Sequence, residues 1–215
     1  MASLPIRDQQ HDHLLTPENA ALIIIDYQPV QVNSIASMDR QLLVNNITGV
    51  ARMAKLYGLP IVLSTVNVKT GFNKETIPQL KRELDGVPSY DRTTINSWED
   101  AEFLAAVKAT GRKKLIMTAL WTEACLSFPA LDALKEGYEV YPVVDAVGGT
   151  SLAAHEAALR RMEQAGAQLT SVPQLFCELQ RDWARSATVP GFMELFIKTG
   201  GTAGIQFSYD RTESK

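Results

Sequence analysis

Cysteine is scarce in this chain: two thiols, Cys125 and Cys177, in 215 residues. Lone thiols so far apart make no disulfide framework, and a reducing setting such as the cytoplasm is expected. A basic stripe is also missing. The formal charge is -3 with lysines and arginines scattered, so no nucleic-acid partner is expected. Long apolar runs are absent, since a bilayer span needs ~20 such residues. The start, MASLPIRDQQHDHLL, lacks a basic region followed by an apolar core, so neither a secretory leader nor a membrane partner is expected. No GxGxxG follows a strand and no GxxxxGK[ST] occurs, which removes the main supports for dinucleotide and P-loop chemistry. Repeats and low-complexity segments are missing too.

What is present is a large apolar fraction, 46%, arranged in alternating short runs and amphipathic stretches. ALIII (21–25), IVLSTV (61–66), LIMTALW (115–121) and EVYPVV (139–144) read as buried strands, with QLTS (168–171) as a short fifth. Between them, Leu42, Leu43, Ile47, Val50, Met53, Ala54 and Tyr57 recur at helical spacing over 38–57, closed by Gly58. Further helices are expected over 77–84, over 101–109 with Asp100 as cap, over 151–165 with Leu152, His155, Leu159 and Met162 on one face, and over 172–184. Residues 90–100, YDRTTINSWED, read as an irregular polar stretch. Strand–helix alternation of this kind predicts an α/β fold in three α/β/α layers, a doubly wound parallel sheet of about five to six strands.

The stretch from Lys113 to Leu134, KKLIMTALWTEACLSFPALDAL, organises the rest. A buried strand runs into a helix for which Thr122 is the expected N-cap and Glu123 the acid of the first turn. Pro129 is a misfit expected to bend that helix. Cys125 falls in the first turn, where helix N–H groups should lower its pKa from about 8.5. A packed core thiol is the commoner role for such a residue.

Three polar groups lie at or near strand ends: Asp26, Arg92 and Cys125. Parallel strands share one carboxyl edge, so the three can converge. Asp26 is the candidate base and Arg92 the fixed positive charge. The N–H groups of Ala124 and Cys125 are candidate oxyanion donors. Such a set suits amide or ester hydrolysis through a thioester. Gln28, Asn96, Trp98, Trp121 and Glu123 are candidate pocket residues, against capping and core roles. His155 is a rival base, more simply read as a histidine on a helix face.

Four pieces, ALIIIDYQ, RTTINSWED, KKLIMTALWTEACLSFPALDALKEGYEVYPVVDA and HEAALRRMEQAGAQLTS, spread over 21–171, resemble the isochorismatase-like cysteine hydrolases. Within them the chain is similar to a bacterial subgroup of uncertain substrate that forms ring-like octamers. The resemblance implies a parallel sheet of about six strands, a triad of Asp26, a basic residue and Cys125 with Asp26 as general base, and a cis Leu120–Trp121 peptide whose N–H groups, at Trp121 and Thr122, join the oxyanion hole. Most of the family has Lys where this chain and the octameric subgroup have Arg92, and Ala119 stands where Gly is usual. STVNVKTGFNKE lacks the Asp and paired His that hold metal in the nicotinamidase branch, so neither metal nor other cofactor is expected. Isochorismatases of this family commonly lack the cysteine, which argues against that substrate.

The sequence thus predicts a polar arm over 1–15, a hydrolase domain over 16–188 and a C-terminal tail over 189–215. The apolar cluster Phe192, Met193, Leu195, Phe196 and Ile197 in that tail is expected to contact a neighbouring subunit of a homo-oligomer, an octamer by resemblance. The expected activity is metal-independent hydrolysis of a small-molecule amide, imide or ester. The alternatives are a redox-responsive thiol protein and a non-catalytic oligomeric binding protein.

Overall fold

A computed structural model describes residues 7–212. Five parallel strands, β1 (Ala20–Ile25), β2 (Ile61–Val66), β3 (Ser89–Arg92), β4 (Lys114–Ala119) and β5 (Glu139–Pro142), stand in the order β3-β2-β1-β4-β5. The helices are α1 (Pro29–Asn33), α2 (Arg40–Leu56), α3 (Pro78–Glu83), α4 (Ala101–Ala109), α5 (Ser127–Lys135), α6 (Leu152–Gln164), α7 (Val172–Gln180), α8 (Val189–Thr199) and α9 (Gly201–Thr212). Period-two alternation splits β1 between two cores. Leu22 and Ile24 face a cluster with Leu43, Ile47, Leu80 and Phe176. Ala21, Ile23 and Ile25 face one with Phe103, Val107, Leu126 and Met162. The sheet is therefore covered on both faces, as an all-parallel sheet must be.

The order reverses on either side of β1. From β1 the chain steps outward through β2 to β3, then returns to place β4 on the other side. The crevice at such a reversal is where open α/β sheets bind ligands, and Asp26 and Cys125 follow the two strands that flank it.

Two strands differ from the sequence reading. SYDR forms β3, pairing Val66 with Arg92. It is an edge strand with only one strand neighbour, so it carries little of the apolar signal that marks a central strand. Residues 168–171 make only the isolated bridge Val143–Thr170. Leu42 and Leu152, assigned to inward faces, are exposed.

Four of the five apolar tail residues are buried without a neighbour. Phe192, Met193, Leu195 and Phe196 are buried in the chain's own core, against α2 and α7. Gly49 of α2 allows the close approach, because a Cβ there would meet Thr199 Cγ2 at 2.8 Å. Nor is the segment before Thr16 wholly solvated. Asp12 and Leu15 are buried, tied by Arg181, which pairs with Asp12 and donates to the Leu15 carbonyl. His11 and His13 are exposed; residues 1–6 and 213–215 lie outside the described residues.

Candidate active site

Asp26 leaves β1 with φ of 62°, a left-handed conformation that Asp and Asn adopt more readily than other side-chain-bearing residues. Its N–H bonds the Ser64 carbonyl of β2 at 3.0 Å, which holds the turn to the sheet. Arg92, at the end of β3, reaches across β2 and clamps the carboxylate: Nη1 to Oδ1 and Nη2 to Oδ2, both at 2.7 Å. Nη1 also donates to Ser64 Oγ at 3.0 Å and to the Thr65 carbonyl at 3.1 Å, and Nη2 to the Ile95 carbonyl at 3.2 Å. Both side chains are wholly buried. This is a bidentate, charge-assisted pair.

Cys125 completes the group from the turn after β4. Residues Thr122–Leu126 form a single π-helical turn leading into α5, a feature that often accompanies functional sites. Pro129 sits within the first turn of α5, where a missing N–H is least costly. The Leu120–Trp121 peptide is cis. Thr122 is not the N-cap. That position belongs to Trp121, and Thr122 Oγ1 instead bonds His155 Nδ1 at 2.8 Å.

The Cys125 thiol and the Asp26 carboxylate act directly on each other. Burial pushes this thiol up to about 12, and the Asp26 charge adds to that; Arg92 and the Trp121 N–H pull back only in part. The expectation of a lowered pKa is therefore overturned. The reason is that the turn is buried beside a carboxylate rather than open to solvent. Burial also raises the Asp26 carboxyl, against the Arg92 bonds that lower it. Both its oxygens accept from guanidinium donors, so we assign it as the ionised partner. Burial works against the Arg92 charge, but Asp26 more than restores it and its pKa is raised.

The resting group is thus a neutral thiol on an ion pair. Because the Cys125 pKa is raised above its ordinary value of 9.0, its protonated form favours folding fully below that value and loses this as pH rises toward about 12. Ultraviolet titration at 240 nm should accordingly show no Cys125 thiolate at neutral pH, with wild type compared against Cys125→Ser. A thiolate signal at pH 7 that vanishes in the variant would contradict this assignment.

The other expected residues separate into those at the thiol and those that brace it. Of the four oxyanion candidates, Thr122 N–H donates to the Gly148 carbonyl at 2.9 Å and Ala124 N–H to the Trp121 carbonyl at 3.1 Å. Both are committed, and the Trp121 N–H acts on the Cys125 thiol, which leaves the Cys125 N–H. Gln28 is buried and joins two segments: it accepts from Val66 N–H and donates to the Val66 and Lys74 carbonyls. Asn96 caps a short turn, accepting from Trp98 N–H at 3.1 Å, and donates to Asp132. Trp98 is buried against Phe103 and Tyr138, with its Nε1 on Glu136. Their polar groups are spent on the scaffold, not on a pocket. Trp121 is half-buried and donates to Ser34 Oγ at 2.6 Å. Glu123 lies two residues from Cys125, hence on another face of the turn, and holds Thr150 through its N–H and hydroxyl.

His155 bonds Thr122 rather than Cys125, and burial lowers its pKa. Ser64 and the carbonyls of Thr65 and Ile95, which fix Arg92, were missed by sequence reasoning. The available signal was the Ser–Thr pair inside the otherwise apolar IVLSTV. Among the described residues, no group of three His, Cys, Asp or Glu is placed to hold a metal, and no helix is long and apolar enough to cross a membrane.

Comparison with known proteins agrees with this frame. Residues 20–174 match the isochorismatase domain. A probable hydrolase, YcaC of Escherichia coli K12, is 36% identical over 183 residues, covering 85% of this chain and 86% of the relative. The solved E. coli YcaC, described as an octameric hydrolase of unknown specificity, superposes with a TM-score of 0.85 at 34% identity, covering 94% of this chain and 98% of that one. YcaC from Pseudomonas aeruginosa, solved with hexane-2,5-diol and covalent acrylamide, gives a TM-score of 0.86 at 32% identity, covering 93% and 98%. With its five-stranded parallel sheet, its domain match and these relatives, the chain belongs to the isochorismatase family of hydrolases.

Proposed function

We propose that this protein is a metal-independent cysteine hydrolase that cleaves a small amide, imide or ester through a thioester on Cys125. The observation that carries the reading is the wholly buried Asp26–Arg92 ion pair acting directly on the Cys125 thiol. Attack transfers the thiol proton to Asp26 as the sulfur–carbon bond forms and the carbonyl electron pair moves onto oxygen. The Cys125 N–H is the donor left for that oxyanion, and the Trp121 N–H joins it once the sulfur is bonded to carbon. Collapse expels the leaving group, which takes the proton from Asp26. Water then attacks the thioester, gives its proton to Asp26, and the released sulfur recovers it as the carboxylic acid departs. Arg92 stays charged throughout and orients the carboxylate.

The covalent acrylamide on the P. aeruginosa relative supports a nucleophile that accepts small amide-bearing electrophiles. The loop after β2, STVNVKTGFNKE, supplies no Asp–His–His ligand set, which supports the metal-free reading. The octameric E. coli relative supports a homo-oligomer, with exposed residues of 189–209 among its contacts, and two unpaired thiols suit a cytoplasmic setting.

Intact-mass analysis after brief exposure to a panel of small amides, imides and activated esters tests the reading. A transient acyl mass in wild type, absent in Cys125→Ser, is expected. Turnover by Cys125→Ser at the wild-type rate, or no adduct and no turnover with any panel member, would sink it.

A further inference from the structure

The charges around the thiol are one-sided. Asp26 acts on Cys125, Asp91 acts on Asp26, and Asp100 acts on Arg92. One guanidinium opposes these three carboxylates. It is fully engaged, with Nη1 and Nη2 donating to Asp26, Ser64 and the carbonyls of Thr65 and Ile95. Its Nε has no partner but is buried, so Arg92 presents no accessible N–H to a ligand. Lys69 acts on Asp91, so that carboxylate is answered from outside the ion pair. His155, bonded to Thr122, has its pKa lowered by burial. Arg92 is the cation that acts on the thiol, and its Nη1 and Nη2 donors are already spent.

Resting on the cysteine-hydrolase reading, we propose that the substrate is electrically neutral around its scissile bond: an uncharged amide, imide or ester with no carboxylate, phosphate or sulfonate near the carbon that Cys125 attacks. The charge balance of the step requires it. Before attack, Asp26 and Arg92 cancel. During attack the thiol proton neutralises Asp26, the sulfur–carbon bond forms, and one negative charge appears on the substrate oxygen. Arg92 is then the one unmatched positive charge of the ion pair, and it balances that oxyanion. A substrate carrying its own anion would bring a second negative charge that nothing buried compensates, and burying an unpaired charge is costly.

Iodoacetamide and iodoacetate test this, since they share a carbon skeleton and a leaving group and differ in charge. Alkylation of Cys125 by each is followed by peptide mass spectrometry at pH 8, in the folded chain and in urea, with exposed Cys177 as the control thiol. The unfolded chain supplies the intrinsic amide-to-acetate rate ratio. Folding is expected to raise this ratio at Cys125 by about tenfold or more and to change it little at Cys177. A ratio at Cys125 that is unchanged or smaller on folding overturns the proposal and leaves the hydrolase reading in place. A folded Cys125 that reacts with neither reagent, while Cys177 reacts with both, removes the nucleophile, and both readings then fall.

Discussion

Arg92→Met should cost the folded chain about 3–5 kcal/mol at neutral pH, the usual penalty for removing one partner of a buried ion pair. The size follows from what is left behind. Asp26 is wholly buried, both its oxygens take their charge-assisted bonds from Arg92, and solvent cannot replace those donors. The pH dependence has a definite sign. Burial already raises the Asp26 carboxyl against the pull of Arg92. With the guanidinium gone it rises further above its unfolded value. A group raised in this way favours folding below its unfolded pKa and loses that contribution as pH rises through the folded value. The deficit of Arg92→Met should therefore be largest at pH 7 and shrink as the pH falls toward 4. Urea denaturation at several pH values measures it. The double variant Asp26→Asn/Arg92→Met should recover a large part of the loss, because neither buried charge then stands alone. Equal deficits at pH 4 and 7 would mean that Asp26 is not the ionised partner. Arg92→Lys keeps the charge, but a single ammonium offers three donors where the guanidinium makes five bonds. It should fall between wild type and Arg92→Met.

The parts of this site that were legible in the sequence are those that periodicity encodes. An apolar run ending in an acid places Asp26 at a strand terminus, and a second run passing into a helical pattern places Cys125 at the neighbouring one. Arg92 was legible only as a basic residue in a polar stretch. Its strand is at the sheet edge, where a ladder on one side suffices and the residues remain polar. The sense of the thiol pKa was not legible at all. Sequence shows a helix first turn, which lowers a thiol pKa, but burial decides the sign, and burial comes from a cluster that includes residues as distant as Ile25, Trp98 and Val147. The same limit explains Gln28, Asn96 and Trp98. Residue type and position near a strand end suited a pocket, whereas their side chains point to Lys74, Asp132 and Glu136. The tail cluster was correctly read as apolar. Its partner surface on α2 depends on Gly49 admitting Thr199, a close approach with no local signature.

Asp26→Asn should slow acylation of Cys125 by roughly 10²–10⁴-fold, the range expected when a positioned general base is lost. The argument rests on the resting protonation of the site. With the thiol pushed up to about 12, almost no thiolate exists at pH 7, so attack depends on a group that takes the proton as the bond forms. Asparagine is nearly isosteric and keeps an oxygen for Arg92, but it cannot accept that proton. It also tolerates the left-handed backbone at position 26, where φ is 62°. Asp26→Ala separates the two roles. Both variants leave Arg92 without its counter-charge and both lose stability, but alanine adds roughly 1–2 kcal/mol for the left-handed conformation. The two should therefore be equally slow in acylation and unequal in denaturation. Rapid-quench mass spectrometry with any panel member that acylates wild type gives the first quantity, and urea titration the second. Acylation of Asp26→Asn within threefold of wild type would place the base elsewhere. Glu123 and His155 would be the first to examine, since they flank the same turn from its other face.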